Sequence, residues 1–380
     1  MARRTLTALS TPVQRARTTA VAHSALQLFF FALAISLSAA PAALAQQERQ
    51  PAARQPDTAA WPLFDSSAPL ELTLAVPFRE LRRTTRSREE LDGQVSYVDA
   101  AGNAVELDVE VRVRGNSRLE QCSFPPLRLD FKRRQLDGTV FAGQNRLKLV
   151  TLCERRDTYR DYLALEYDTY RLFAVLTERA YRVRPATVQY RTTDARREES
   201  FTESAFLIET DIEAAARLGT EVIEREQISL DELHREHTAL LGVFQYIIAN
   251  NDWSPLRGAA GEDCCHNGNV IGPIEGGIVV LPYDFDRSGI IDADYVTPNP
   301  QLPIRRITQR LYRGYCEFNP EAEAAIATVL SRSAELEAVL AQGSTRERAK
   351  ERAIEFLRNS LAHLADTQAR TKEIIEQCRG

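Results

Sequence analysis

The change of period at residue 157 constrains this fold more than any other feature of the chain. Before it, apolar residues recur at every second position, the spacing of strands with one buried face. Leu70–Val76 alternates in this way. So do residues 95–98 and 105–114, on either side of Asp99-Ala100-Ala101-Gly102-Asn103, which has hairpin turn chemistry. Residues 127–132, closed by Asp137-Gly138, and residues 146–152 are further short strands. From Asp157 to Leu176 the spacing becomes helical, with Tyr162, Leu165, Tyr170, Leu172, Phe173 and Leu176 on one face.

After that helix the spacing predicts strands at 181–190 and 205–209. A second helix is expected after Ser229, which stands three residues before Glu232 as in a capping box. Leu233, Leu240, Leu241, Phe244, Ile247 and Ile248 would face a core. Residues 276–286 read as a buried strand and 320–341 as a helix stopped by Gly343. Ser344 and Glu347 have the spacing of another capping box, opening a last helix. His234 and His237 fall on a charged face and are expected to meet solvent, and Trp253 is expected to pack. The order predicts an α+β chain. Residues 66–210 would form a β-rich N-terminal lobe with one helix, and residues 211–380 a mainly helical C-terminal lobe.

The first 45 residues have the pattern of a signal peptide. Arg3, Arg4, Arg15 and Arg17 precede an apolar run at 26–37, and Ala43-Leu44-Ala45 is a small-x-small cleavage site. An uncleaved anchor is the alternative. Export implies a periplasmic or extracellular protein. Removing this segment takes away four arginines and no acids, moving the net charge from −5 to −9. That balance argues against a nucleic-acid-binding surface, and no further long apolar segment suggests a membrane span. Residues 46–65, polar and rich in Pro, Ala and Gln at their start, are expected as a disordered linker. Six cysteines in an oxidising compartment suggest disulfides. Cys122 with Cys153, and Cys264 or Cys265 with Cys316, are candidate pairs. Cys264-Cys265-His266 can alternatively be read as part of a zinc site.

Residues 250–289 carry the chemistry. Asn250-Asn251-Asp252-Trp253-Ser254 is followed by His266-Asn267-Gly268-Asn269 and then by Tyr283-Asp284-Phe285-Asp286. An aspartate, an asparagine and a second aspartate after a hydrophobic strand suit phosphoryl transfer. One carboxylate takes the proton of the attacking hydroxyl, while the amide and the other carboxylate hold magnesium against a triphosphate. The alternative reading places Asp252 in an Asx turn. Either Asn267 or Asn269 is a candidate metal-binding amide. Asp284 and Asp286, at i and i+2 on a strand, would point the same way towards a metal. A rival reading takes residues 284–295 as a calcium loop, since Asp284, Asp286, Ser288, Gly289 and Asp292 follow the spacing of an EF-hand. Tyr295 in place of the bidentate glutamate and a strand in place of the incoming helix count against it.

Arg114-Gly115-Asn116-Ser117 can cover phosphates with backbone amides and an arginine. Among cations on strands, Lys132, Lys148 and Arg128 are candidates to neutralise phosphate. Lys148 would alternate with Leu147 and Leu149 and face inward, where Glu166 can pair with it.

With these motifs in order, the chain resembles the CotH-like kinases. Val113-Arg114-Gly115-Asn116-Ser117, Leu127-Arg128-Leu129-Asp130-Phe131, Ala205-Phe206-Leu207-Ile208-Glu209, Asn251-Asp252-Trp253 and Pro282-Tyr283-Asp284-Phe285-Asp286 carry the resemblance. The resemblance implies an atypical protein-kinase-like two-lobed fold that transfers the γ-phosphate of ATP to a protein hydroxyl with Mg2+ or Mn2+. Asp252 would be catalytic and Asp284 would bind metal. Glu209 would end the strand whose backbone meets adenine. Little ATP is expected outside the cytoplasm. A non-catalytic binding protein on the same scaffold is therefore the competing expectation, and transfer of AMP a third.

Overall fold

The computed structural model describes residues 61–115, 117–195, 199–259 and 261–380. The expected signal peptide, and the linker up to residue 60, lie outside the described residues. Packing begins inside the segment expected as linker, because Trp61 and Leu63 are buried.

The alternating segments form strands where the pattern placed them: β1 (Leu70–Val76), β2 (Leu91–Val98), β3 (Ala104–Val113), β4 (Leu127–Phe131) and β5 (Arg146–Thr151). Helix α3 (Asp157–Leu176) follows, then β6 (Val183–Thr192) and β7 (Glu199–Ile208). Two short helices, α1 (Phe78–Arg83) and α2 (Ser117–Gln121), interrupt the strands. The seven strands close on themselves in the order β1-β2-β3-β4-β5-β7-β6. Neighbours are antiparallel except at the seam, where β1 runs parallel to β6 with Leu72 opposite Val188. One face of each strand fills the barrel: Leu72, Leu74, Val109, Val111, Leu129, Leu147, Val188 and Leu207 share a single core.

This closed barrel overturns the expected two-lobed kinase-like fold with a β-sheet N-lobe and a helical C-lobe. Alternation along a strand fixes which side chains face inward, but not which strand pairs with which. The closing β1–β6 pair leaves no local signal. The second half departs as well, since it contains a three-stranded sheet. Strands β8 (Glu221–Val222), β9 (Gly268–Ile274) and β10 (Gly277–Pro282) lie in the order β10-β9-β8.

Helix α3 lies between the barrel and the rest of the molecule. Its Tyr170 packs on Phe206 of β7 (ring centroids 5.8 Å apart) and on Phe285 (4.8 Å), and its Phe173 packs on Phe244 (4.8 Å). Phe244 belongs to α5 (Arg235–Ile247), which follows α4 (Asp211–Arg217). Four helices complete the described chain: α6 (Asn319–Ser331), α7 (Ser333–Ala341), α8 (Glu347–Ala365) and α9 (Thr367–Arg370). No helix among the described residues is long and apolar enough to cross a membrane.

Several local expectations shift for identifiable reasons. Glu232 does accept from the backbone N–H of Ser229 (3.0 Å), but the pair opens a single turn at Leu230–Glu232. Helix α5 is capped instead by His234, whose Nδ1 accepts from the N–H of His237 (3.3 Å). His234 and His237 are buried rather than solvated, and His237 Nε2 lies 3.0 Å from the carbonyl of Val280 on β10. The expected single helix at 320–341 breaks at Arg332. No side chain caps α8, because Arg346 at its start is held by Asp161 of α3, to which its Nη2 donates at 2.6 Å.

Cys122 pairs with Cys153. Cys316 pairs with Cys378, and Cys264 with Cys265, so the expected Cys264 or Cys265 link to Cys316 does not form. With both thiols in a disulfide, the zinc reading of Cys264-Cys265-His266 is lost.

Candidate functional site

A cleft of about 460 Å³ opens between the rim of the barrel and the loops around β9 and β10. The barrel side contributes Arg114, Gly115 and Arg118, with Glu166 from α3. The opposite wall contributes Asp252, Asn267 and Asp284. Residues expected to act together, from separate segments of the sequence, therefore line one space.

Three backbone links hold the opposite wall together. The N–H of Gly289 donates to Ala249 (3.1 Å), that of Tyr283 to Asn267 (3.0 Å) and that of Ser254 to His266 (3.1 Å). Two residues past the end of helix α5 stands Ala249, a non-glycine residue at φ 49°. The Asx turn expected at Asn250 does form, with the N–H of Asp252 donating to Asn250 Oδ1 at 3.0 Å. The turn and the site are compatible, because the turn aims the Asp252 carboxylate into the cleft.

That carboxylate has three donors. His266 Nε2 lies 2.8 Å from Oδ1, Asn267 Nδ2 donates to Oδ2 at 3.2 Å, and Arg287 Nε lies 3.0 Å from Oδ2. Burial opposes ionisation of Asp252. The hydrogen bond and charge of His266, with Arg287 and the Asn267 amide, outweigh it and hold Asp252 below the usual carboxylate range. His266 is raised in return, chiefly by its hydrogen bond to Asp252. Asn267 also donates to the Asp252 carbonyl at 2.6 Å, and its own φ of 52° bends the chain back towards the turn. Asn269 lies on β9 and donates to the Tyr181 hydroxyl (2.6 Å). Of the two candidate amides, Asn267 is the one lining the cleft.

The strand expected to carry Asp284 and Asp286 ends at Pro282. Asp284 is left-handed (φ 62°, ψ 61°), and a short turn spans Phe285–Arg287. The i and i+2 argument for parallel side chains does not apply. Asp284 lines the cleft, while Asp286 is buried against Arg118, whose Nε donates to its Oδ2 at 3.1 Å. The Tyr295 hydroxyl donates to the same oxygen at 3.2 Å. These contacts also count against a calcium loop at 284–295.

The expected Lys148–Glu166 pair is replaced. Glu166 is bound by Arg118 Nη2 at 2.5 Å, so one arginine bridges Glu166 and Asp286. Burial raises Glu166 to about 7, although Arg118 pulls the other way. Burial and then the charge of Asp286 raise Asp284 to about 6. Lys148 stands behind the cleft wall, its Nζ 5.1 Å from the ring centroids of both Tyr181 and Tyr283. Burial, and then the charge of Arg114, lower it to about 8. Arg128 pairs with Asp130 (3.2 Å) on the barrel wall. Glu209 is fully buried against Arg217 (2.6 Å) and accepts from the N–H of Arg182 (2.7 Å). Neither Arg128 nor Glu209 lines the cleft.

Three cleft residues went unassigned a catalytic part in the sequence: Arg118, His266 and Arg287. Arg118 stands one residue beyond the Arg114–Ser117 stretch on a helix too short to show a period. In the sequence His266 stands out only as a metal ligand beside Cys264 and Cys265, although its place next to Asn267 is a usable signal.

Among the described residues, no three His, Cys, Asp or Glu side chains converge to hold a metal ion by themselves. Magnesium does not require such a cage, because it is commonly held by one or two carboxylates together with substrate phosphates and water. Asp284 and Asp286 fit that mode. Asp286 Oδ1 is buried without a hydrogen-bond partner, and the two carboxylates raise the cost of charge in the same space. No family model matches the chain, and no curated protein is similar to it.

Proposed function

We propose that the chain is an exported phosphotransferase that moves the γ-phosphoryl group of ATP to a protein hydroxyl with Mg2+ or Mn2+. The observation that carries this reading is the meeting of Asp252, Asn267 and Asp284 in one arginine-lined cleft. Phosphoryl transfer asks a protein mainly for positioning and for positive charge around the moving group. Arg114 and Arg118 lie on the barrel side of the cleft and suit the phosphates of the donor. The backbone of Gly115, at φ 86°, can approach them without a side chain in the way. Asp284 and Asp286 Oδ1 would hold a divalent ion, which when bound neutralises charge on the triphosphate.

Asp252 is ionised at neutral pH and orients the acceptor hydroxyl. As the acceptor oxygen bonds to the γ-phosphorus, the bond from that phosphorus to the β,γ-bridging oxygen breaks and ADP leaves. The hydroxyl proton passes to Asp252. His266 and Arg287 keep Asp252 in place for that step. Motif order shared with the CotH-like kinases supports the same chemistry, here proposed for a barrel-containing fold.

The test is incubation of the full chain with γ-labelled ATP, a divalent metal and a generic protein acceptor. We expect label in the acceptor or in the chain itself. Loss of the base in Asp252→Ala should lower the rate about 10²–10⁴-fold, and Asp284→Ala should lose metal-dependent nucleotide binding in calorimetry. Absence of both label and nucleotide binding in the parent chain would overturn the reading. Label from α-labelled but not γ-labelled ATP would identify AMP transfer instead.

A further inference from the structure

Asp252 and Arg287 have a second side. Behind them lies a narrow groove of about 30 Å³, walled opposite by Val296, Pro298, Ile304 and Ile307. Its floor carries Asn251, which is about nine-tenths buried. Asn251 Nδ2 donates to the carbonyl of Gln309 (3.2 Å), but its Oδ1 is buried without a partner. A buried amide oxygen awaiting a donor is costly unless a ligand supplies one. An extended polypeptide has such a donor in each backbone N–H. The far wall is a series of tight turns, with the N–H of Leu302 donating to Asn299 (3.0 Å) and that of Gln309 to Arg306 (3.1 Å). Between the two apolar wall residues Ile304 and Ile307 stand Arg305 and Arg306, both exposed and neither paired with a carboxylate among the described residues.

We propose that this groove is the acceptor channel, and that it takes an extended polypeptide bearing acidic residues beside a small hydroxyl side chain. The proposal rests on the phosphotransferase reading above. The groove has room for a group the size of a hydroxymethyl and not for an aromatic ring. Asp252 and Arg287 line both this groove and the cleft that holds Arg114 and Arg118, so a hydroxyl seated at their shared edge would lie beside Asp252 and next to the donor site. The Asn251 amide oxygen accepts a backbone N–H of the acceptor. Arg305 and Arg306 attract flanking aspartate or glutamate, on a chain whose net negative charge would otherwise repel an acidic partner.

The test reads binding separately from transfer. A fluorescein-labelled peptide with one serine between aspartates is titrated with the full chain, beside the same peptide with lysines in place of the aspartates. We expect the acidic peptide to bind at least about tenfold more tightly, and Arg305→Glu/Arg306→Glu to abolish that preference. The milder Arg305→Gln/Arg306→Gln pair, checked by circular dichroism, guards against a misfolded variant. Equal binding of both peptides, or a preference that survives both arginine pairs, overturns the proposal. So does dextran sulfate binding as tightly as the acidic peptide, because the groove would then sense charge without a peptide backbone. A chain with no phosphotransfer can still show the peptide preference. An active chain without the preference refutes the acceptor channel alone.

Discussion

Asp168 shows how far burial moves a single side chain here. It lies on α3, almost fully buried, with one oxygen held by Arg171 (3.0 Å) and the other without a partner. A Cβ on Gly343 would fall 2.1 Å from that second oxygen, so only glycine lets the loop after α7 cover it. Burial raises the carboxyl to about 7, against the partial relief of Arg171. Between its ordinary pKa near 4 and this value, the folded chain holds a proton that the unfolded chain has released. Stability from this group is therefore lost as pH rises from about 4 to about 7, and the loss is complete above that. Asp168→Asn should remove this part of the pH dependence, on the order of 4 kcal/mol across the window. Melting temperatures of both proteins at pH 5 and pH 8 check it. The expected result is a smaller difference between the two pH values in the variant.

At the scale of elements, two turns make the site, and their spacing depends on Gly289. The turn after α5 carries Asp252, and the turn after β10 carries Asp284. Gly289 joins them, and a Cβ there would stand 2.7 Å from both the Ala249 side chain and the Ile307 carbonyl. Gly289→Ala should push the turns apart and destabilise the fold by about 1–3 kcal/mol. It should also lower transfer more than the stability loss explains. Melting temperature and initial rate, measured on the same preparation below the transition, separate the two effects. The elements themselves were largely legible. Leu70–Val76 and Asp157–Leu176 follow their periods to the residue. Caps were less so, because Ser229–Glu232 and Ser344–Glu347 have equal spacing and only tertiary contacts decide which opens a helix. The grouping of Asp252, Asn267 and Asp284 was legible as spacing in a motif. The partners were not, since Arg118, Glu166 and Asp286 meet across sequence separations of 48 and 168.

For the whole molecule, Arg118 is the strut. It stands at the barrel rim and binds Glu166 of α3 and Asp286 beyond β10, so three parts of the chain share one buried cation. Burial opposes its charge, yet Asp286 and Glu166 hold it above the ordinary arginine range. Arg118→Met should cost about 3–5 kcal/mol, because two acids are left buried without their partner. Adding Glu166→Gln and Asp286→Asn should restore much of the loss. Denaturant titration of the single and triple variants gives the comparison, and equal loss in both would refute the strut. Closure of the barrel, by contrast, could not be read from the chain. Thr73 meets Gln189 across the seam at a separation of 116 residues.

That seam sets an order of events in time. A chain emerging residue by residue can pair β2, β3, β4 and β5 as neighbours soon after each appears. Strand β1 gains its second partner only when β6 has arrived, so until then the nascent sheet carries two open edges. Contacts so distant in sequence are late and slow to form. The interval before closure is when this protein is most exposed to joining a neighbouring copy edge to edge instead of itself.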